Sequence, residues 1–413
     1  MLKTLACIMI DVHFGLCAFN NGIATMIQDE VLSRIEWTIN NCRLLKALTC
    51  EFRVTQPFAG LSIGTAIHVE PKTAALLLTL KAGGARLLAT GNLNSTQPAT
   101  VAFLKSQGIE VIGGQTVDEA EHSKYIDAIL ARKPDLLLDN GGDIFARVAD
   151  RPYVTLRGGT EETTTGRERL VPLRDKIKVP VLVINDSPIK QFAENKHAVG
   201  QSMFESYVRF TNRSTNGKRV TVFGYGACGQ GVALNFRNAF SLVSVVDRSP
   251  VKTLEAHLDG FNTPNREIAI RDADVIITVT GAKEVITADD LSLFKNGVVL
   301  LNGGHLPHEI DVKAMAASPL LAKQLSYPSD GIVTLILMDG REVHLLGGGH
   351  MANLSGPRPL GNSIESMDIG FALQSRCLEI VARGGVGPAQ CVVPVPTEVD
   401  DAVATAYVEL HRR

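Results

Sequence analysis

Three glycines near the middle of the chain constrain its fold more than any other feature. Gly224, Gly226 and Gly229 have the spacing G-x-G-x-x-G, follow the apolar run 220–223 and precede a helical pattern. In a strand–turn–helix unit the first glycine permits a tight turn, the second lets the backbone approach a pyrophosphate, and the third lets the helix pack on the strand. The spacing therefore predicts a Rossmann-type elbow with phosphates at a helix N-terminus.

An acidic residue follows the next apolar run, where such a unit binds ribose. The run 242–246 ends at Asp247, whose carboxylate would accept hydrogen bonds from ribose hydroxyls and repel a 2′-phosphate. The neighbouring Arg248 weakens that preference. We predict NAD rather than NADP as the cofactor, and the alternative is an ordinary glycine-rich turn.

The composition is typical of a globular enzyme. The chain has 413 residues, of which 45% are hydrophobic, so it can bury substantial cores in two or three domains. Lys and Arg number 41 against 43 Asp and Glu, a balance that disfavours nucleic acid and acidic membrane surfaces as partners. We expect a small-molecule partner.

The cysteines and the N-terminal segment indicate a cytoplasmic protein. The seven cysteines are scattered and form no C-x-x-C pair, which predicts neither a disulfide framework nor a zinc site. The apolar run 5–10 is closed by Asp11 and is too short for a membrane span. We expect that run to be part of a strand or a buried helix, and no spacing indicates a metal site.

Apolar runs alternate with helical patterns on both sides of the glycine elbow, which is typical of βαβ units. The predicted strands are 85–89, 109–112, 135–138, 181–184, 220–223, 242–246, 275–279 and 298–301, and the predicted helices include 71–81 and 100–107. We therefore predict an α/β fold with two doubly wound, Rossmann-like lobes and a C-terminal helical segment that crosses back. The predicted boundaries are a substrate-binding domain at 1–192, an NAD-binding domain at 196–357 and a returning C-terminal segment at 360–413. The chemistry should lie in the cleft between the lobes.

Polar clusters follow several predicted strands, where open α/β sheets bind ligands. They comprise the segments 139–143, 161–166 and 185–190, with Glu194 one helical turn beyond the last. From spacing alone, a lysine and a carboxylate four residues apart could be a solvated ion pair, and the segment 161–166 could be a helix cap. Two histidines, His68 and His305, could be structural or could exchange protons near neutral pH.

In their combined order these motifs resemble the S-adenosylhomocysteine hydrolase family, from about residue 60 to about residue 385. The resemblance rests on the His68 segment, on 139–143, 161–166 and 185–187, on the glycine elbow, and on 302–305 with 309–311. It implies that tightly held NAD oxidises a nucleoside 3′-hydroxyl, after which the 5′ substituent is eliminated, water is added and the ketone is reduced. The temporary ketone makes the C4′ proton acidic enough for an ordinary base.

The resemblance also implies a role for each matching residue. Lys190 and Glu194 would contact the 3′-hydroxyl and Glu162 the 2′-hydroxyl. The side chains of His68, Asn140 and His305 would lie near C4′ and the 5′ leaving group. Besides the three glycines and Asp247, the implied NAD contacts are Thr163, Thr164, Thr165, Asn195, Thr280, Asn302 and Asn353, and the other substrate contacts are Glu70, Lys72, Thr73 and Asn362. We expect a homo-oligomer.

Some positions depart from the family's pattern. Asn140 replaces an aspartate, and because an amide is not a base at neutral pH, His68 would act alone or with Asp139 or Asp143. Glu194 replaces an aspartate that is one methylene shorter.

Other departures concern the base pocket and the end of the chain. Glu70 and Lys72 occupy the positions of the family's adenine contacts, and a histidine segment is replaced around 361–363. The sequence stops at Arg413 without the family's long tail, so we expect looser retention of the cofactor.

Three functions remain open from the sequence. The first is hydrolysis of S-adenosylhomocysteine or a related 5′-substituted nucleoside. The second is a lyase or dehydratase reaction that leaves a 4′,5′-unsaturated nucleoside, which the changes at Asn140 and at Glu70 and Lys72 motivate. The third is a non-catalytic NAD- or nucleoside-binding paralogue, which the presence of Lys190, Glu194 and both histidines disfavours.

Overall fold

The computed structural model describes residues 22–305 and 307–412. Their strands are β1 (Ser62–Ala66), β2 (Arg86–Thr90), β3 (Glu110–Val111), β4 (Leu136–Asp139), β5 (Gly158–Glu161), β6 (Val181–Val183), β7 (Arg219–Phe223), β8 (Leu242–Val246), β9 (Val275–Thr278), β10 (Val298–Asn302), β11 (Leu321–Tyr327), β12 (Ile332–Leu337), β13 (Glu342–Leu346) and β14 (Cys391–Pro394). The strand or buried helix predicted at 5–10 lies outside the described residues.

The helices lie between these strands and at both ends of the described chain. They are α1 (Gly22–Asn41), α2 (Arg43–Thr55), α3 (Pro71–Ala82), α4 (Pro98–Ser106), α5 (Glu119–Leu130), α6 (Asp143–Asp150), α7 (Thr164–Leu170), α8 (Arg174–Ile177), α9 (Val199–Thr211), α10 (Ala227–Asn238), α11 (Pro250–Leu258), α12 (Arg266–Asp272), α13 (Val312–Ala316), α14 (Ile364–Ala382) and α15 (Thr397–His411). A π-helix, Lys190–Ala198, precedes α9. Within the described residues, no helix combines the length and apolar character needed to cross a bilayer.

Each lobe is built on a seven-stranded sheet. The first has the order β14-β6-β5-β4-β1-β2-β3, and its strand pairs are parallel. The second has the order β11-β12-β13-β10-β9-β7-β8, in which β12 pairs antiparallel with both β11 and β13 at one edge. The predicted α/β class with two doubly wound lobes is confirmed.

The strand order of each sheet indicates where a ligand would bind. In a doubly wound sheet, ligands bind outside the carboxyl ends of the strands where the strand order reverses. That point lies between β1 and β4 in the first sheet and between β7 and β9 in the second. His68 and Asn140 follow the first pair of strands, and Gly224 and Thr280 follow the second.

Some strands are not predicted by the sequence because their residues are small or polar. Strand β1 has the sequence SIGTA and β5 has GGTE, yet both are wholly buried between neighbouring strands. A Cβ on Gly159 would lie 1.8 Å from the carbonyl oxygen of Leu137, so β5 approaches β4 more closely than a side chain would allow. The predicted strand 109–112 is only two residues long, and the hairpin β11–β12 and strand β14 were not predicted.

The chain passes from the first lobe to the second through the π-helix and α9, both of which pack against α10. A Cβ on Gly231 of α10 would lie 1.7 Å from the carbonyl oxygen of Lys196. This close approach fixes the side chains of the π-helix relative to the glycine elbow that begins α10.

The C-terminal segment rejoins the first lobe. Helix α14 packs on α2, α3 and the π-helix, and β14 extends the first sheet beside β6. The buried Asp368 of α14 accepts hydrogen bonds from the backbone N–H groups of Leu44 (2.7 Å) and Leu45 (2.9 Å) at the start of α2. Burial raises the pKa of Asp368 to about 6.

Candidate active site

A cavity of about 870 Å³ lies between the lobes, at the carboxyl ends of both sheets. Its walls in the first lobe include His68, Asn140 and Glu162, which follow strands β1, β4 and β5, respectively. In the second lobe, Gly224 and Asp247 follow β7 and β8. The cavity therefore joins the polar clusters of the first lobe to the glycine elbow of the second.

A buried ammonium group lies between two buried carboxylates in this cavity. Lys190 Nζ is 2.9 Å from Glu162 Oε1 and 2.6 Å from Glu194 Oε2, and the three side chains are at most 8% exposed. Burial disfavours the charge of Lys190, but the two carboxylates outweigh burial and raise its pKa. Lys190 is therefore an ammonium ion at neutral pH.

The two glutamates differ in their readiness to hold a proton. Burial acts to raise the pKa of Glu162, yet Lys190 and the hydrogen bond from Asn140 hold it below its ordinary value. Burial raises the pKa of Glu194, and the nearby charge of Glu162 adds to the rise, while Lys190 opposes it. Of the two carboxylates, Glu194 is therefore the one suited to receive a proton.

The π-helix presents several of these groups together. Its i→i+5 hydrogen bonding, seen in the bond from the N–H of Val199 to the carbonyl of Glu194, differs from that of an α-helix. Lys190, Glu194 and Asn195 all line the cavity from this segment. The side-chain amide of Asn195 donates to Asn185 Oδ1 at 2.9 Å.

Asn140 is held between two partners. Its Nδ2 donates to Glu162 Oε2 at 2.8 Å, and its Oδ1 accepts from Asn92 Nδ2 at 3.0 Å. These bonds fix which end of the amide faces Glu162. Asn140 is therefore an oriented donor that helps keep Glu162 ionised. An amide is too weakly basic to act as a base at neutral pH.

The two predicted histidines lie side by side. The ring centroids of His68 and His305 are 5.9 Å apart, and both residues also line a second cavity of about 630 Å³. Burial, followed by the neighbouring His305, lowers the pKa of His68 to about 3. Burial also lowers the pKa of His305. The two rings lie where the two cavities meet. Because its pKa is lowered, His68 is neutral near pH 7.

The aspartates expected to assist His68 are turned to other partners. Asp139 is fully buried, and its carboxylate accepts from the backbone N–H groups of Ile144 and Phe145, each at 2.9 Å. Asp143 pairs with Arg169 at 2.6 Å and lines the second cavity. Neither aspartate lines the main cavity, which favours the alternative in which His68 acts alone.

The glycine elbow has the space that a dinucleotide needs. Gly224 has φ +100°, which favours glycine, and a Cβ on Gly229 would lie 2.0 Å from the carbonyl oxygen of Gly224. A Cβ on Gly226, by contrast, would meet nothing within 4 Å, although this glycine lines the cavity. The open side of Gly226 fits a pyrophosphate approaching the N-terminus of α10.

Asp247 stands at the ribose end of the elbow. Its two carboxylate oxygens accept from the backbone N–H groups of Tyr225 (2.7 Å) and Ser249 (2.8 Å), which orient the side chain. Each oxygen keeps a lone pair for a ribose hydroxyl. The residues present therefore fit NAD.

Three predicted site residues do not line the main cavity. Gly229 packs beneath the elbow. Asn302 is fully buried, accepts from the N–H of Gly304 at 2.7 Å and donates to the carbonyl of Gly349 at 3.0 Å, so it shapes the loop that carries His305. Lys72 lies behind Glu70, as described below. The remaining predicted residues do line it: Glu70, Thr73, Thr163, Thr164, Thr165, Thr280, Asn353 and Asn362, together with those placed above.

Two buried carboxylates that the sequence analysis did not assign hold the cavity loops. Glu161 accepts from the N–H groups of Gly141, Gly142 and Thr163. Glu309 accepts from the N–H groups of Thr280 (2.9 Å) and Gly281 (2.7 Å). Both residues belong to motifs that stand out in the sequence, but apart from Thr163 their backbone partners are 19 to 29 residues away along the chain.

Lys72 forms a buried ion pair at the edge of the cavity. Its Nζ is 2.7 Å from Glu70 Oε2 and donates to the carbonyl oxygen of Leu360 at 2.7 Å. Burial raises the pKa of Glu70, and Lys72 partly offsets this. The cation thus joins Glu70 to the segment that carries Asn362.

We expect Lys72→Met to destabilise the protein by about 3–5 kcal/mol, because it leaves the Glu70 carboxylate buried without its cation. Thermal and urea unfolding measure the loss. The matched control is Glu70→Gln combined with Lys72→Met, which removes both charges and should restore part of the stability. Equal stability of the single and double variants would contradict this account of the pair.

The fold and the site define a two-lobed, dinucleotide-binding enzyme with its active-site cavity between the lobes. Residues 195–358 match the model described as "S-adenosyl-L-homocysteine hydrolase, NAD binding domain", and residues 30–154 match "S-adenosyl-L-homocysteine hydrolase". The chain belongs to the S-adenosyl-L-homocysteine hydrolase family, and its cofactor is NAD.

Curated relatives cover nearly the whole chain. It is 37% identical to S-inosyl-L-homocysteine hydrolase of Methanopyrus kandleri, over 91% of this chain and 89% of that protein. It is 35% identical to adenosylhomocysteinase of Pyrococcus abyssi, over 91% of this chain and 89% of that protein. It is also 35% identical to adenosylhomocysteinase of Thermotoga maritima, over 90% of this chain and 92% of that protein.

Proposed function

We propose that the protein hydrolyses S-adenosylhomocysteine or a related 5′-substituted nucleoside through transient oxidation of the 3′-hydroxyl. The observation that carries the proposal is the Lys190 ammonium held between Glu162 and Glu194 in a cavity that also contains the glycine elbow. This arrangement combines groups for proton transfer with a site for a hydride acceptor. When bound, NAD takes up the C3′ hydride and later returns it.

The residues around Lys190 bind the ribose and move the 3′-hydroxyl proton. The ammonium of Lys190 stabilises the developing 3′-alkoxide, and Glu194, with its raised pKa, receives the proton. Glu162 stays ionised because Lys190 and Asn140 hold its pKa down, so it accepts a hydrogen bond from the 2′-hydroxyl. These assignments need the three side chains to act on neighbouring hydroxyls of one sugar.

The histidines serve the 5′ side of the sugar. Once C3′ is a ketone, the C4′ proton is acidic, and a neutral imidazole is a base that can remove it. His68 is neutral because burial and His305 lower its pKa to about 3. His305 lies beside His68 and lines both cavities, where it can exchange a proton with the leaving group or with water.

The nucleobase is the least constrained part of the substrate. The relatives include proteins named for adenosyl and for inosyl substrates. Glu70, Thr73 and Asn362 line the cavity and would contact the rest of the substrate. The first experiment therefore presents both thioethers to the purified protein.

The decisive experiment runs the reaction in water enriched in oxygen-18. A hydrolase releases homocysteine and a nucleoside whose 5′-hydroxyl carries the heavy oxygen, as mass spectrometry would show. Denaturing a separate sample of the purified protein should release NAD and any trapped 3′-keto nucleoside. Finding neither thiol release nor bound NADH absorbance with either thioether would overturn the proposal for these substrates.

A lyase is the second candidate, and Asn140 favours it. The resemblance places an aspartate at this position, whereas the amide here is held by Asn92 and Glu162 and cannot shuttle a proton to water. Elimination without hydration would leave a 4′,5′-unsaturated nucleoside. The same mass measurement separates the two outcomes, because the lyase product is lighter by one water and contains no heavy oxygen.

Asn140→Asp is expected to move the acidic limb of kcat/KM upward by more than about one pH unit. The new carboxylate would face Glu162 Oε2, where the amide now donates at 2.8 Å. Two carboxylates this close cannot both ionise easily, so the pair loses its second proton only at a higher pH. Glu162 is then available in its ionised form only above the pKa of that second ionisation. A pH–rate profile measures the shift. Asn140→Ser removes the amide donor to Glu162 but adds no charge, so it should move the limb upward by less than Asn140→Asp does. An unchanged limb in Asn140→Asp would contradict the prediction.

A further inference from the structure

We propose that Ser95 is a positioning residue that fixes His68 in the Nδ1–H tautomer and leaves Nε2 as the basic nitrogen for the cavity. The proposal rests on the function proposed above only for what Nε2 does. The tautomer itself follows from hydrogen bonds among Ser95, Asn92 and His68. Neither Ser95 nor Asn92 belongs to a motif that stands out in the sequence.

The Ser95 hydroxyl has a single proton and two neighbours that could share it. Ser95 Oγ lies 3.1 Å from the carbonyl oxygen of Asn92 and 2.6 Å from His68 Nδ1. A carbonyl oxygen can only accept, so a hydrogen bond between these two oxygens uses the hydroxyl proton. When the proton is used there, the serine oxygen offers only lone pairs to the imidazole, and Nδ1 is the donor.

The opposite tautomer satisfies fewer groups. With the proton on Nε2, the serine hydroxyl would have to turn to Nδ1, and its bond to the carbonyl of Asn92 would be lost. Ser95 and Asn92 are 6% and 7% exposed, so water does not readily replace a lost partner. The Nδ1–H tautomer makes both bonds and is the favoured form.

The same short turn also orients Asn140. Asn92 Nδ2 donates to Asn140 Oδ1 at 3.0 Å and approaches the carbonyl oxygen of Asn140 at 3.3 Å. The hydroxyl of Thr73 donates to the carbonyl oxygen of His68 at 2.5 Å and fixes the backbone that carries the ring. The turn 92–95 thus sets the proton positions of two residues that face the reacting sugar.

The surroundings keep His68 neutral. The titratable groups that act on it are His305, Glu162 and Lys190, and burial is the largest influence on its pKa. Glu162 favours the imidazolium, whereas Lys190 and His305 oppose it. A neutral ring with Nδ1–H has one lone pair, on Nε2, and this nitrogen is the one available to take a proton from substrate.

Nitrogen-15 NMR of the protein labelled at histidine tests the tautomer directly. The two ring nitrogens have different shifts when protonated and unprotonated, and loss of a signal pair in His68→Gln assigns His68. We expect a protonated Nδ1 and an unprotonated Nε2 at neutral pH. A protonated Nε2 in the unmodified protein would overturn the proposal.

Variants of Ser95 test the cause. Ser95→Ala should give a mixture of tautomers, while Ser95→Thr, which keeps the hydroxyl, should restore the Nδ1–H form. The matched control is Ser375→Ala, since Ser375 is also buried and packs with the first lobe, but its hydroxyl donates to the carbonyl of Phe371 at 2.8 Å. An unmixed Nδ1–H signal in Ser95→Ala would overturn the role of Ser95.

Kinetics separate positioning from a general loss of structure. With a nucleoside that is turned over, Ser95→Ala should lower kcat by about 10- to 100-fold with little change in KM, and Ser95→Thr should recover most of it. A fall in Ser95→Ala that Ser95→Thr does not recover would contradict the proposal. If the NMR result holds but no nucleoside is oxidised, the proposed function fails and the tautomer assignment stands.

Discussion

Lys190→Met is expected to slow the redox step by about 10³-fold or more. The variant keeps the length of the side chain but removes the ammonium that lies 2.9 Å from Glu162 and 2.6 Å from Glu194. The 3′-alkoxide would lose its cation, and one of the two buried glutamates would have to hold a proton. Stopped-flow absorbance of NADH after mixing with nucleoside measures the oxidation alone, apart from elimination and hydration.

Lys196→Met is the matched control for this prediction. Lys196 lies on the same π-helix but does not line the main cavity. The control should oxidise nucleoside at nearly the normal rate. Both variants should retain NAD, because the role proposed for Lys190 is at the sugar rather than at the elbow. Normal NADH formation in Lys190→Met would show that the buried ammonium has no part in the chemistry.

The sequence predicts those parts of the fold that depend on local patterns. The glycine elbow, Asp247 and the apolar strands β4 and β10 lie where spacing and hydrophobicity placed them, because each pattern reflects a short-range requirement of the backbone. Strand β5 was not predicted, since its burial depends on β4 and β6 and not on its own residues.

The composition of the cavity was predictable from strand ends and from family resemblance, but its proton positions were not. The resemblance grouped Lys190, Glu194 and Glu162 at one ribose. Only the fold shows that the ammonium lies between the two carboxylates and that all three groups are removed from water. Asp139 shows the reverse case. It belongs to a conspicuous polar motif, yet its carboxylate is turned to the N-terminus of α6 and away from the cavity.

The π-helix and the turn at Ser95 were likewise beyond local patterns. A spacing of four residues fits an ordinary α-helix as well as the observed π-helix, so the sequence offered no reason to choose. Ser95 acquires its role from a histidine 27 positions away along the chain. This contact depends on how the loops after the paired strands β1 and β2 meet at the carboxyl edge of the first sheet.

Two glycine substitutions in the elbow are expected to act on different quantities. One should weaken NAD binding and leave the fold stable, and the other should destabilise the fold itself. Gly226 has φ −70° and ψ −174°, a conformation open to any residue, and its Cβ would meet no protein atom within 4 Å. Gly226→Val should therefore fold with nearly normal stability in the absence of cofactor. Its side chain would occupy the space proposed for the pyrophosphate, so NAD affinity should fall at least about a hundredfold, which is about 2.7 kcal/mol.

Gly229→Val should fail for a different reason. Its Cβ would lie 2.0 Å from the carbonyl oxygen of Gly224, which is backbone and cannot move aside without disrupting the turn. We expect a loss of more than about 3 kcal/mol in unfolding free energy even without cofactor. Unfolding of cofactor-free protein and calorimetric titration with NAD measure the two quantities separately. Equal NAD affinity in Gly226→Val and the unmodified protein would contradict the placement of the pyrophosphate, because that placement requires the open side of Gly226 to be filled by the cofactor.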